Sequence, residues 1–295
     1  MSTCTMPYIG FRIDLKSTGA YKVGRGFMKY CTLFMSLILV SAVHAKTILI
    51  SDIDDTLKNA HVLNTEDMIK RFAFTNDQFL GMNWVYNQLS LSNPEMTFFY
   101  VSTAPQQLMQ EFHEDFIRGN NFARGGVYLR RDLFSSDFKL QKIRQILKQE
   151  MPSKVILVGD NAESDTIFYD RVRAEFPTIE FTTFIHLAYY SKAAEETGKA
   201  LAHGQIGFAT SLDLVLQLYH LNLIPQNYLP GFVATFAGVY LQQVRSDVRL
   251  AIASWMDCRD FSWTVNDSVF SGDANFIQAK QKIVQRCSQP AFAND

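Results

Sequence analysis

Apolar positions along the chain fall into two alternating patterns. Thr47 to Ile50, Met96 to Val101 and Lys154 to Val158 are short apolar runs, rich in β-branched or aromatic side chains, that stop at polar residues. Runs of this kind predict strands buried on both faces of a parallel sheet. Gly125 to Arg130 reads as a turn and a short strand, and Ile179 to His186 as a further strand. Between them the period lengthens to that of helices. Met68, Ile69, Phe72, Phe79, Leu80, Trp84, Val85 and Leu89 recur at helical spacing behind the caps Asn64 or Thr65, up to Pro94. A helix starts near Gln106. Another spans Asp137 to Glu150, with Leu140, Ile143, Ile146 and Leu147 on one face and Pro152 as its stop, and Ser211 to Leu223 forms a third.

Strand and helix in alternation predict an α/β domain with a parallel sheet over 46–224, carrying a small helical cap insert at about 58–94. From Pro225 the text changes. Leu229-Pro230-Gly231 reads as a break, and Phe232 to Trp255 and Asn275 to Arg286 as helices of a C-terminal extension over 225–295. Its aromatics, among them Phe232, Phe236, Tyr240 and Trp255, are expected against the core.

The chemistry sits where the strands stop. Lys46 to Ile50 runs directly into Asp52, Asp54 and Asp55, and carboxylates crowded at the end of a buried strand are tolerated mainly where a cation or a reaction holds them. In Asp52-x-Asp54-x-Thr56 both carboxyls can face one small volume. Asp52 then serves as a nucleophile that needs no activating base, and Asp54 exchanges a proton with the leaving group. A solvated acidic turn is the competing reading of this triplet alone. The second strand delivers Ser102-Thr103-Ala104-Pro105 ahead of a helix, where hydroxyls suit a phosphoryl oxygen, or simply cap the helix. Lys139 can offset negative charge in such a site, with Lys142 as its rival. The third strand ends in Gly159-Asp160, followed by Asp165 at the start of a helix. Asp160 completes an oxygen-rich Mg²⁺ shell with Asp52 and the carbonyl of Asp54, and Gly159 lets the backbone turn.

Composition narrows the class. The chain is 47% hydrophobic with a formal charge of −1. Five basic residues against Asp14 give residues 1–45 a net of +4 and leave −5 for the rest, so the body presents no basic face for nucleic acid. Met28-Lys29-Tyr30, an uncharged apolar block from Cys31 to Val43, and the small residues Val43 and Ala45 describe a signal peptide cleaved after Ala45. Export to the periplasm or the medium is therefore expected, with no membrane-spanning segment in the mature chain. A buried segment or an uncleaved anchor is the competing reading, and residues 1–27 are either an extended leader or lie upstream of the true start. Cys258 and Cys287 remain in the mature chain and invite a disulfide, free buried thiols being the alternative.

The order Asp52-x-Asp54-x-Thr56, Ser102, Lys139, Gly159-Asp160-x4-Asp165 resembles the four motifs of the haloacid dehalogenase (HAD) superfamily, in its phosphatase branch. In detail it looks closest to the catalytic domain of actin-patch-type phosphatidate phosphatases and their bacterial relatives. Ser51 to Thr56, Tyr100 to Pro105, Gly126 to Arg130, Phe138-Lys139-Leu140 and Val158-Gly159-Asp160 with Asp165 and Tyr169 carry that likeness. The resemblance implies a Rossmann-like fold, an aspartyl-phosphate on Asp52, Asp54 as general acid and base, phosphate bound by Ser102, Thr103 and Lys139, and Mg²⁺ held by Asp52, Asp54, Asp160 and Asp165. Two departures stand near the substrate. Ser102-Thr103-Ala104-Pro105-Gln106 replaces Ser-x-Ser-Pro-Trp, and Phe138 replaces a histidine. The expectation is an exported phosphatase for a phosphorylated substrate, a lipid favoured, with peripheral membrane contact. The alternatives are a broad-specificity acid phosphatase, a phosphoprotein phosphatase, or a secreted binding protein without catalysis.

Overall fold

The computed structural model describes residues 46–71, 76–132, 135–194, 197–244 and 249–291. The expected signal peptide, and Phe72 of the predicted apolar stripe, lie outside them. Among the described residues, β1 (Thr47–Ser51), β2 (Thr97–Pro105), β3 (Gly125–Arg130), β4 (Lys154–Asp160), β5 (Glu180–His186) and β6 (Ile206–Phe208) form one parallel sheet in the order β3-β2-β1-β4-β5-β6. The chain fills one half of the sheet and then the other, so the order reverses between β1 and β4. In sheets of this type that is where the carboxyl ends of the strands leave a crevice.

Two cores lie on the two faces, and the side-chain alternation of the strands divides them. Leu49, Phe98, Tyr100, Ile156 and Val158 point one way; Ile48, Ile50, Phe99, Val101, Val155 and Leu157 point the other. The second face is covered by α4 (Phe138–Glu150) through Leu140, Ile143, Ile146 and Leu147, and by α5 (Asp165–Glu175) through Phe168, Tyr169 and Val172. The first face receives α2 (Met82–Ser92), α3 (Gln106–Gly119), α6 (Ser211–His220), α7 (Leu229–Tyr240) and α8 (Ala274–Cys287). This is a Rossmann-like α/β fold with a helical C-terminal part. No helix among the described residues is long and apolar enough to cross a membrane.

Three stretches differ from the sequence expectation. Residues 58–94 hold two helices rather than one continuous helical stretch: α1 (Thr65–Arg71), capped by Asn64 Oδ1 accepting from the Asp67 amide, has no buried residue, whereas α2 buries Val85, Tyr86 and Leu89 on the sheet. Gly81, at φ 78°, sets the entry to α2, and a Cβ there would come within 2.5 Å of Ser211 Oγ. Leu229-Pro230-Gly231 is the first turn of α7 rather than a break, because a proline there forfeits no intrahelical bond. The helix expected to reach Trp255 stops at Tyr240. Beyond it residues 249–257 run through bends and turns, with Ala251, Ala253, Trp255 and Met256 buried and the Met256 amide bonding back to the Ala253 carbonyl at 3.2 Å. A disulfide between Cys258 and Cys287, with Cα atoms 4.8 Å apart, ties this segment to α8.

Candidate active site

At the reversal of the sheet, β1 and β4 deliver acid side by side. The Asp52 amide donates to the Val158 carbonyl at 2.8 Å, extending the β1–β4 ladder by one residue and aligning Asp52 with the end of β4. The carboxyl oxygens of Asp52, Asp160 and Asp165 come within 4.8 Å of one another, all three residues being buried. Asp160 is steadied by the Ala162 amide at 2.6 Å, and Thr56 Oγ1 reaches Asp52 and Asp160, each at 3.3 Å. Asp165 lies across from Gly159. A Cβ on that glycine would stand 2.2 Å from Asp165 Oδ2, so Gly159 makes room for a carboxyl inside a regular strand and is not a turn.

Lys139 is the counter-charge. From the first turn of α4 its Nζ reaches Asp52 Oδ1 at 2.7 Å and Asp165 Oδ1 at 2.5 Å, and it is 3% exposed. Burial opposes its charge, yet Asp165, Asp52 and Asp160 together raise its pKa, so it stays an ammonium. Burial, with the neighbouring carboxylates, pushes Asp160 well above the usual range and Asp165 up to about 7. Three buried carboxyls against one lysine leave a deficit of positive charge. An all-oxygen donor set with that deficit is compatible with a hard divalent cation. Lys142, by contrast, stacks over Tyr128 at 4.8 Å and bonds Gln145, outside the cluster.

Asp54 belongs to the rim. Its side chain accepts on Oδ2 from Ser102 Oγ at 3.1 Å and faces His113 Nε2 at 2.8 Å. Burial would raise its pKa, but the charge and hydrogen bond of His113, the charge of Lys58 and the Ser102 hydrogen bond outweigh that and lower it. Its carboxyl is not one of the three that cluster. Thr103 Oγ1 donates to Glu163 at 3.0 Å in an exposed position across the cleft mouth. Asp55, third of the acidic triplet, plays a separate part. At φ 57° it accepts from the amides of Ala60, His61 and Val62 and from the Tyr189 hydroxyl, between 2.6 and 2.9 Å, and so folds the loop that follows β1.

These groups open into a cleft of about 770 Å³. Asp52, Asp54, Ser102 and Lys139 share it with an apolar wall that includes Val62, Met68, Ile69, Leu108 and Phe112. His113 was not legible as a functional residue, because a lone histidine between Met109 and Phe116 on a buried helix face reads as core. Thr56 was legible only as part of its motif.

Residues 47–186 match the family model described as the catalytic domain of phosphatidate phosphatase APP1. Over 146 residues the chain is 32% identical to phosphatidate phosphatase APP1 of Saccharomyces cerevisiae, a match that takes in 44% of this chain and 24% of that protein. The chain thus matches about a quarter of that relative's length. Asp52, Asp54, Ser102, Lys139, Asp160 and Asp165 all fall inside the matched stretch, and the tail from Pro225 falls outside it. Over residues 47–186 the chain is similar to a phosphatidate phosphatase catalytic domain.

Proposed function

We propose that the chain is an exported, Mg²⁺-dependent phosphatase of the HAD type that hydrolyses a phosphate monoester through an aspartyl-phosphate, with phosphatidate as the favoured substrate. The observation that carries this reading is the convergence of four chain segments, the ends of β1 and β4 and the starts of α4 and α5, on one acidic cluster with a buried lysine, with Ser102 of β2 beside Asp54 at its rim. Asp52, Asp160 and Asp165 would hold the ion, and Mg²⁺ there supplies charge that lets a carboxylate approach an anionic ester.

The residues divide the work. An Asp52 oxygen forms a bond to phosphorus as the ester P–O bond breaks, and the leaving oxygen takes the electron pair and a proton from Asp54, which must first take that proton up against the pull of His113 and Lys58. Water then attacks phosphorus, giving its proton to the Asp54 carboxylate, and the Asp52–phosphorus bond breaks to return the free carboxylate. Lys139 holds Asp52 in line through its 2.7 Å contact and offsets charge on the phosphoryl group. Ser102, already oriented by the Ala104 amide at 3.0 Å, stands beside Asp54 at the phosphate's edge.

The apolar wall of the cleft supports a lipid. The Cys258–Cys287 disulfide supports export, since such bonds persist in oxidising compartments. With Mg²⁺, the protein should hydrolyse p-nitrophenyl phosphate and Asp52→Asn should lose at least about 10³-fold in turnover. Equal rates would remove Asp52 as the nucleophile. Phosphate release from phosphatidate vesicles should exceed release from phosphopeptides and sugar phosphates, and no preference for vesicles would favour the broad-specificity reading.

A further inference from the structure

We infer that His113 is a positioning residue for Asp54, fixing which oxygen of that carboxyl meets the leaving group; the inference rests on the phosphatase reading above. His113 projects from α3, is fully buried, and has no part in the cluster of Asp52, Asp160 and Asp165. Its Nε2 lies 2.8 Å from Asp54 Oδ2, and Ser102 Oγ donates to the same oxygen at 3.1 Å. Two donors on one carboxyl oxygen use the directions in which it accepts well. Among the described residues both of these bonds fall on Oδ2, which leaves Oδ1 to the cleft that the side chain lines.

The histidine is itself held. Nδ1 faces the Met109 carbonyl one turn back at 3.1 Å, so both ring nitrogens are engaged. The clamp runs from the α3 backbone through the imidazole to Oδ2, and rotation about the Asp54 Cβ–Cγ bond would break it. Proton exchange with a leaving oxygen demands such control, because transfer needs heavy atoms within hydrogen-bond reach. A residue acting this way touches no substrate. Its effect must grow with the leaving group's need for a proton.

That dependence supplies the test. With the full chain and Mg²⁺, kcat/KM is measured for p-nitrophenyl phosphate, whose leaving group departs readily unprotonated, and for phenyl phosphate, whose leaving group does not. His113→Met, which fills the space without a donor, should lower the phenyl phosphate value by at least about tenfold more than the p-nitrophenyl value, a fraction of what general acid catalysis contributes. His113→Gln, which keeps a terminal N–H, should recover most of the difference. An equal loss on both substrates would make His113 merely structural and overturn the inference, as would no loss on either. If the wild type hydrolysed neither ester, the phosphatase reading would fall first; if it hydrolysed both, with Asp52→Asn inactive, only the role of His113 would be at stake.

Discussion

At the scale of single residues, the site is governed by how three buried carboxyls are kept together without expelling one another. Lys139 answers part of the charge and Gly159 answers the space. Gly159→Ala would push a methyl group into the position of Asp165 Oδ2, and the carboxyl would have to leave the cluster. If the cluster holds Mg²⁺ as proposed, the affinity read by calorimetry should fall about 10- to 100-fold in this variant, the range seen when the setting of a metal ligand is disturbed. Unchanged affinity would mean that Asp165 is not needed there. Asp52 and Asp160 stood out in the sequence because acid at the end of an apolar run has few structural uses, whereas Lys139 stood out only through its place in the order of the motifs. The division of labour within Asp52, Asp54 and Asp55 was not. Spacing shows three carboxylates, but only the loop's amides and Tyr189, distant in sequence, reveal that Asp55 folds the loop.

Elements place those residues, and their boundaries were legible to different degrees. The strands were plain because consecutive apolar residues suit a two-sided core, whereas β6, three residues long, left no such run. The tail was misread because residues 249–257 form bends and turns whose buried side chains, Ala251, Ala253, Trp255 and Met256, are apolar enough to pass for a helix face. Helix α6 shows how an element end couples to pH. Its Asp213 closes a capping box with Thr210, accepting from the amides of Ala209 and Thr210 and from Thr210 Oγ1, and burial still pushes its pKa up to about 7. A raised carboxyl holds its proton in the folded state while the unfolded chain releases it near the ordinary value. The stability this gives is complete below about pH 4 and lost as pH rises through about 7, on the order of 4 kcal/mol in all. Urea unfolding of Asp213→Asn should therefore show a shallower decline over that window than wild type. Parallel curves would show that Asp213 ionises in the fold as freely as in water.

For the whole molecule, the matched stretch is less than the packed unit. Much of the core on one face of the sheet, including Leu212, Val215, Phe232, Phe236 and Ile283, comes from residues after 186. The tail also reaches the loop that follows β1. Trp255 Nε1 donates to Asn59 Oδ1 at 2.7 Å, its ring lies on His61 with centroids 4.4 Å apart, and the Asp257 amide donates to the Ala188 carbonyl at 2.9 Å. The disulfide joins this segment to α8 across 29 positions of sequence, so its loss should cost about 3 kcal/mol. Thermal unfolding with and without reductant should show a lower midpoint for the reduced protein; coincident melts would mean the bond adds nothing to this packing.

The stacking of Trp255 on His61 gives the molecule an internal lamp. Its indole sits against the loop that Asp55 folds, with Tyr189 on the same side at 5.2 Å, so the light it emits depends on how that loop stands. Whatever binds beside Asp52 and tightens or loosens the turn after β1 is thereby written into the protein's own fluorescence, with no label added.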